Sequence, residues 1–259
     1  MDWKKLIKAK SMDKHKYDYG HVVVYGGSQM TGAAGLAAIS ALRMGAGLVT
    51  IAVPRETTYL YRQLSTSLIV EEMTDFKDHF QDKRRNMLLI GPGAGHETER
   101  PTLDVIESGK LCVLDADALK LFILGKTHDK CILTPHEGEF ERLFPDTSGG
   151  KADRALKAAK FCRAIIVLKG HETIIASPDG RFEIISNGSP WLATAGSGDV
   201  LAGMIAGFAA WHKHEDMLFE SVCAAVWMHG EASQLAGPGM ISADLPDQIK
   251  KVWQNLLNH

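Results

Sequence analysis

Cysteine is scarce in this chain of 259 residues, and the four present are scattered. Cys112, Cys131, Cys162 and Cys223 form no C-x-x-C pair, and Cys112 and Cys131 fall in apolar, strand-like runs. That distribution reads as structural thiols of a reducing compartment, not as a disulfide framework or a zinc site. Long apolar runs are also missing. No segment reaches the roughly 18 apolar residues that a membrane span needs. The opening MDWKKLIKAKSMDKHK is charged and lacks the apolar core of a secretory signal. A cytoplasmic protein is expected. Charge of one sign is lacking too: the net charge of -2 gives no reason to expect nucleic acid or an anionic membrane as a partner.

Familiar motifs are absent as well. The first strand–turn–helix unit lacks the G-x-G-x-x-G dinucleotide fingerprint, no G-x-x-x-x-G-K-[ST] phosphate loop occurs, and no H-E-x-x-H zinc motif is present. There is no internal repeat, low-complexity segment or linker. A chain of this length can bury a sizeable core, and one α/β domain is expected.

What is abundant is glycine, 25 residues, clustered in loops beside apolar runs. The richest stretch is NGSPWLATAGSGDVLAGMIAG, residues 187–207. At its centre Gly196, Ser197, Gly198 and Asp199 lead into an alanine- and glycine-rich run with the length of a buried helix. A helix start carries free N–H groups and partial positive charge. Glycines there let backbone approach an anion such as phosphate. Asp199 in the same turn would place a base beside that anion. A capped helix with an ordinary N-terminal acid accounts for the same residues.

Along the chain, residues 1–20 form a basic lead-in with Lys10, Lys14, His15 and Lys16, read as a solvated arm rather than a positive lip over a ligand. Strands are expected at residues 21–25, 48–53, 68–70, 87–90, 111–114, 131–133 and 164–168, and a hairpin from 174 to 185. Helices are expected at about 32–44, 97–107, 151–163, 198–211, 217–236 and 241–257. Gly203 and Gly207, one turn apart, would allow close packing of the helix at 198–211. Loops follow the strands: Gly26-Gly27-Ser28, Gly91-Pro92-Gly93-Ala94-Gly95, Asp115-Ala116-Asp117, Thr134-Pro135-His136-Glu137-Gly138-Glu139 and Lys169-Gly170-His171-Glu172-Thr173. In a parallel sheet they would gather at the carboxyl edge, where ligands bind. Asp115 and Asp117 suit a hydrated magnesium ion or polar substrate groups, and equally a helix cap. His136 and its two acids suit a site or a favoured helix start. Lys169 suits phosphate neutralisation or simple solvation. Together the loops supply what phosphoryl transfer requires.

The ordered set His15-Lys16…Gly20, Gly26-Gly27-Ser28…Gly32-Ala33, Gly91-Pro92-Gly93, Asp115-Ala116-Asp117-Ala118-Leu119, Thr134-Pro135-His136-x-Gly138-Glu139, Lys169-Gly170-x-x-Thr173 and Gly196-Ser197-Gly198-Asp199-Val200-Leu201-Ala202-Gly203 resembles the ADP/ATP-dependent NAD(P)H-hydrate dehydratases. The resemblance runs from about residue 10 to the last helix. It implies a ribokinase-like fold: a three-layer αβα sandwich on a mainly parallel sheet, one domain over residues 1–259. It implies a repair reaction in which ADP or ATP drives loss of water from the S-epimer of hydrated NADH or NADPH. By matching positions, Asp199 is the catalytic base. Ala33, Gly93, His136 and Asp199 contact the hydrated dinucleotide. Lys169, Gly170, His171, Glu172, Thr173, Gly196, Ser197 and Gly198 surround the adenine nucleotide. Magnesium would arrive with the nucleotide, without a dedicated protein cage. A homotetramer is implied. So is a separate epimerase, since the N-terminal epimerase half of many bacterial relatives has no room here. Two positions depart from the family: Ser197 replaces a threonine, and Met30 stands where an aromatic is common. A small-molecule kinase of hydroxymethylpyrimidine or hydroxyethylthiazole type, and a nucleotide sensor without turnover, remain as rival readings.

Overall fold

The computed structural model describes residues 3–96, 98–212 and 215–258. Its strands are β1 (His21–Tyr25), β2 (Leu48–Val53), β3 (Ile69–Glu72), β4 (Met87–Ile90), β5 (Leu111–Leu114), β6 (Cys131–Leu133), β7 (Ile165–Leu168), β8 (Thr173–Ala176) and β9 (Phe182–Ile185). They form one sheet in the order β3-β2-β1-β4-β5-β6-β7-β8-β9. Pairing is parallel from β3 across to β7. The hairpin β8–β9 then continues the sheet antiparallel. The central strands read MLLI, LCVL, CIL and IIVL, apolar at every position and fully buried. Such runs belong to parallel strands covered on both faces.

The helices are α1 (Thr31–Arg43), α2 (Thr58–Arg62), α3 (Glu99–Glu107), α4 (Glu137–Leu143), α5 (Lys151–Cys162), α6 (Ser197–Trp211), α7 (Leu218–Ala236) and α8 (Leu245–Leu257). Alternate strand residues face two separate cores. Val22, Val24, Leu89 and Val167 pack with α1, α6, α7 and α8. Val23, Leu88, Ile90 and Leu168 pack with α3, α4 and α5. The result is the expected αβα sandwich.

The buried helix α6 lies against α1 nearly backbone to backbone. A Cβ at Gly203 would collide with the Ala37 carbonyl, and one at Gly207 with the Ala41 carbonyl. The small residues are therefore a packing device, as their spacing suggested. Two boundaries among the described residues shift by two residues or more. The third strand continues to Glu72, because Glu71 is held by Arg85 and His79 at 2.6 and 2.9 Å. The last helix begins at Leu245, after a 3-10 turn, since Pro246 fits a first helical turn where no N–H is required. The expected helix start at Glu97 lies outside the described residues.

From β1 the chain winds outward to β2 and β3, then returns to place β4 on the other side of β1. The loops after β1 and β4 thus diverge at a topological switch point, where open α/β sheets form their ligand crevice.

Candidate active site

Helix α6 starts where Gly196 takes a left-handed conformation, φ 91°. A side chain there would be strained, and its Cβ would meet Ser242 Oγ at 2.6 Å and Leu36 Cδ1 at 2.9 Å. Ser197 Oγ donates to the Leu192 carbonyl at 2.8 Å, tying the helix start to the preceding turn. The serine hydroxyl thus has a structural partner of its own. Asp199 follows in the first turn and is partly buried. Burial, then the nearby Asp115 carboxylate, push its carboxyl up to about 6, against the pull of Lys169. A carboxylate poised near neutrality is suited to accept a proton.

Asp115 and Lys169 form the floor beside it. Asp115 is fully buried at the end of β5, and Lys169 reaches it from the end of β7, Nζ to Oδ1 2.8 Å. Thr134 Oγ1, from the end of β6, donates to the same oxygen at 2.7 Å. One oxygen, Oδ1, thus holds both partners, and the Asp115 side chain caps no helix. Lys169 is correspondingly no solvated lysine. Its ammonium lies 3.4 Å from where a Cβ on Gly198 would be, directly under the start of α6. Positive charge thus converges there from two sources, the ammonium and the helix terminus.

A cavity of about 460 Å³ opens beside this point. One wall is Lys169, Gly170, His171 and Thr173, and the helix start gives Ser197, Gly198 and Leu201. The far wall is Gly188, Ser189, Pro190, Leu192, Ala193 and His229. His229 is buried within α7, and burial drops its imidazole to about 4, so it stands neutral. Of the residues expected around a nucleotide, Lys169, Gly170, His171, Thr173, Ser197 and Gly198 line the cavity. Glu172 and Gly196 do not. The Glu172 side chain is exposed while its carbonyl takes a hydrogen bond from Lys151 Nζ, and Gly196 packs toward Ser242 and Leu36.

The loops of the switch point complete the carboxyl edge. Gly93, at φ 62°, approaches Met30 and Ala33 so closely that a Cβ would be 3.1 Å from that of Ala33. A Cβ at Gly27 would strike the Gly93 carbonyl. Gly95 N–H donates to Asp117 Oδ2 at 2.9 Å, so Asp117 braces this loop instead of capping a helix. His136 caps α4: its Nδ1 accepts from Glu139 N–H at 3.2 Å, and Glu139 Oε2 accepts from His136 N–H at 2.8 Å. The far edge of its ring stays exposed, with the side chain 58% accessible. It therefore serves as a cap, and its Nε2 lies 3.5 Å from Glu139 Oε1. Lys169 N–H donates to the Pro135 carbonyl at 2.9 Å and fastens this loop to the next.

The carboxyl edge is thus a continuous chain of contacts: Gly27 to Gly93, Gly91 to Asp115, Asp115 to Thr134, Pro135 to Lys169, Lys169 to Gly198. The basic lead-in does not take part. Lys16 packs its carbonyl on Gly47, just before β2, at the opposite edge. Among the described residues no three metal-ligating side chains converge near Asp199; the single such group lies at the amino edge.

The mainly parallel nine-stranded sheet of this order, with helices on both faces, defines an α/β protein with a ribokinase-like fold. A solved ribokinase-like protein from Enterococcus faecalis V583 superposes with a TM-score of 0.84 at 24% identity, over 100% of this chain and 96% of that one. A family model described as NAD(P)H-hydrate dehydratase matches residues 21–255, and the chain belongs to that family. The ADP-dependent (S)-NAD(P)H-hydrate dehydratase of Neisseria meningitidis serogroup B is 34% identical over 89% of this chain and 81% of its own. The bifunctional NAD(P)H-hydrate repair enzyme Nnr of Moorella thermoacetica is 36% identical over 93% of this chain and 51% of its own. The chain spans about half the length of most of the curated relatives it matches. The ADP/ATP-dependent NAD(P)H-hydrate dehydratase of Bacillus subtilis, co-crystallised with ATP/Mg2+, superposes with a TM-score of 0.86 at 27% identity, over 98% and 96% of the two chains.

Proposed function

We propose that the protein dehydrates the S-epimer of hydrated NADH or NADPH at the expense of ADP or ATP. The observation that carries this reading is Asp199, a partly buried carboxyl raised to about 6 in the first turn of α6, next to Ser197 and Gly198 of the 460 Å³ cavity and within the field of Asp115, Lys169 and Asp117. Hydroxide is a poor leaving group, and phosphate is a better one. Asp199 removes the proton from the C6 hydroxyl of the hydrate. The freed oxygen bonds to the terminal phosphorus, and the bond to the leaving AMP or ADP breaks. N–H groups at Gly196 to Gly198 and the Lys169 ammonium face the charge that develops on the phosphoryl oxygens. The ring nitrogen's lone pair then expels phosphate from C6, and loss of a C5 proton restores the double bond. The products are reduced dinucleotide, phosphate and AMP or ADP.

In this reading Lys169, Gly170, His171, Thr173, Ser197 and Gly198 hold the adenine nucleotide. Ala33, Gly93 and His136 hold the hydrated dinucleotide. Magnesium bound to the nucleotide would offset the negative field of Asp115, Asp117 and Asp199. Interconversion of the hydrate epimers is proposed to belong to a separate catalytic unit. A homotetramer is also proposed. Each chain presents two apolar edges, Tyr59, Leu60 and Ile69 by β3 and Phe182 and Ile184 on β9, all exposed. A cytoplasmic location fits the four free thiols, and no helix among the described residues is long and apolar enough to cross a membrane.

The test is direct. Hydrated NADH incubated with the protein, magnesium and ADP or ATP is expected to regain the absorbance of reduced nicotinamide while free phosphate appears. A stable phosphorylated product would identify a kinase instead, and binding without turnover a sensor.

A further inference from the structure

At the amino edge of the sheet, remote from Asp199, β5 and β6 pair with Cys112 directly opposite Cys131. Side chains in register on neighbouring strands share a face. The two sulfurs lie 3.4 Å apart and both residues are fully buried. His128 precedes Cys131 in a tight turn closed by the Cys131 N–H and the His128 carbonyl at 2.9 Å. One ligand atom from each of Cys112, His128 and Cys131 lies within 4.8 Å of the others.

The tautomer of His128 follows from its neighbours. Nε2 sits 3.0 Å from the Ile106 carbonyl, which can only accept, so Nε2 carries the proton. Nδ1 therefore holds a lone pair, and it accepts a long hydrogen bond of 3.2 Å from Lys130 N–H. A ring that donates one N–H to a carbonyl and keeps the other nitrogen basic is the usual state of a metal-bound histidine.

We propose that Cys112, His128 and Cys131 bind a single thiophilic d10 cation, with Zn2+ as the type ion. Zinc–sulfur bonds of about 2.3 Å at tetrahedral angles separate two sulfurs by about 3.8 Å. The observed pair needs to open by only a few tenths of an ångström. On binding, both thiols release their protons to solvent and Lys130 N–H gives up Nδ1. Three protein ligands leave a fourth position for water. Access comes from the half-buried His128 side and from a groove of about 690 Å³ along the amino edge, which includes Leu111 and Lys130, the residues preceding the two cysteines. The soft donor set and the closed apolar surroundings disfavour magnesium or calcium. The cation would tie β5 to β6 three residues before Asp115 and Thr134, whose side chains join the same strands at the catalytic edge.

The experiment uses the full chain, freed of metal and kept reduced with a phosphine. Co2+ is expected to bind one equivalent, giving sulfur-to-cobalt charge-transfer bands and a tetrahedral visible spectrum, and Zn2+ is expected to displace it. Cys112→Ser and Cys131→Ser are expected to abolish the charge-transfer bands, while Cys162→Ser leaves them intact. His128→Asn, at a partly exposed position that leaves the core filled, is expected to weaken Co2+ and Zn2+ by about tenfold or more. It carries the test should the serine variants fail to fold. No charge-transfer band in the reduced wild-type chain, bands that survive Cys131→Ser, or unaltered affinity in His128→Asn would each overturn the proposal.

Discussion

Lys169 Nζ and Asp115 Oδ1 meet at 2.8 Å from strands that are not adjacent, over the intervening Thr134 of the β6 end. The Asp115 side chain is 2% exposed and that of Lys169 18%. Asp115 is closed to water, whereas Lys169 also borders the cavity. Removing one charge therefore strands the other. Lys169→Met is expected to destabilise the fold by about 3–5 kcal/mol, as for other broken buried pairs. Adding Asp115→Asn to it is expected to recover most of that loss. Denaturant unfolding of the two single variants and the double variant measures the coupling; simple additivity would mean that the pair is not a unit.

The same two residues set the protonation of Asp199. Asp115 raises its carboxyl and Lys169 lowers it, with burial the largest influence. As a base, Asp199 must be ionised, so kcat/KM is expected to fall as the pH drops through about 6 and to level off above it. Asp115→Asn is expected to move that limb to lower pH, and Lys169→Met to higher pH. Shifts in the same direction, or none, would detach the limb from Asp199.

Asp199→Asn separates chemistry from binding. Turnover is expected to fall by about 10²- to 10⁴-fold, while adenine nucleotide affinity stays within a few-fold by calorimetry. Near-normal turnover would remove Asp199 from its role.

Stability should move the opposite way. The folded-state carboxyl, at about 6, lies above its unfolded value of about 3.9. Below the lower value both states are protonated and nothing is lost. Above about 6 the folded state must hold a disfavoured charge, so stability falls as pH rises through that window. Asp199→Asn relieves this and is expected to stabilise the protein at pH 8 by about 1 kcal/mol, allowing for the partial exposure of the group. Little gain is expected near pH 4. Thermal unfolding of both proteins at the two pH values decides it.

Gly203→Ala tests the helix contact. Its Cβ would enter the Ala37 carbonyl. A loss of about 1–3 kcal/mol is expected from forcing α6 off α1, with a parallel loss of turnover because Asp199 rides on the same helix. An unchanged unfolding midpoint would show that the helices yield freely.

Much of this was legible in the amino-acid order because the buried strands are short apolar runs ended by glycine, proline or acid. MLLI, LCVL and CIL could only be interior strands, and their bounds emerge as read. The loop at Gly196 to Asp199 was equally open to reading, since glycines before an apolar helix signal a close backbone approach. Partnerships across the sheet were not. Lys169 and Asp115 are 54 positions apart, and only the strand order joins them. His229 sits inside an ordinary apolar helix, with no local signal that it faces a cavity. Glu172 belongs to a site motif yet its side chain turns outward, in a bend before β8 where Lys151 Nζ holds its carbonyl. Cys112, His128 and Cys131 match no ligand spacing, and register alone brings them together.

The near-contact of Gly203 with Ala37 and of Gly207 with Ala41 has a mechanical result. The helix bearing Ala33 and the helix bearing Asp199 are locked as one plank. Closer approach between them is sterically barred, so in the proposed reaction the two substrates must be brought into alignment by their own docking. Any adjustment during turnover then falls to the flanking loops at 91–96 and 187–193.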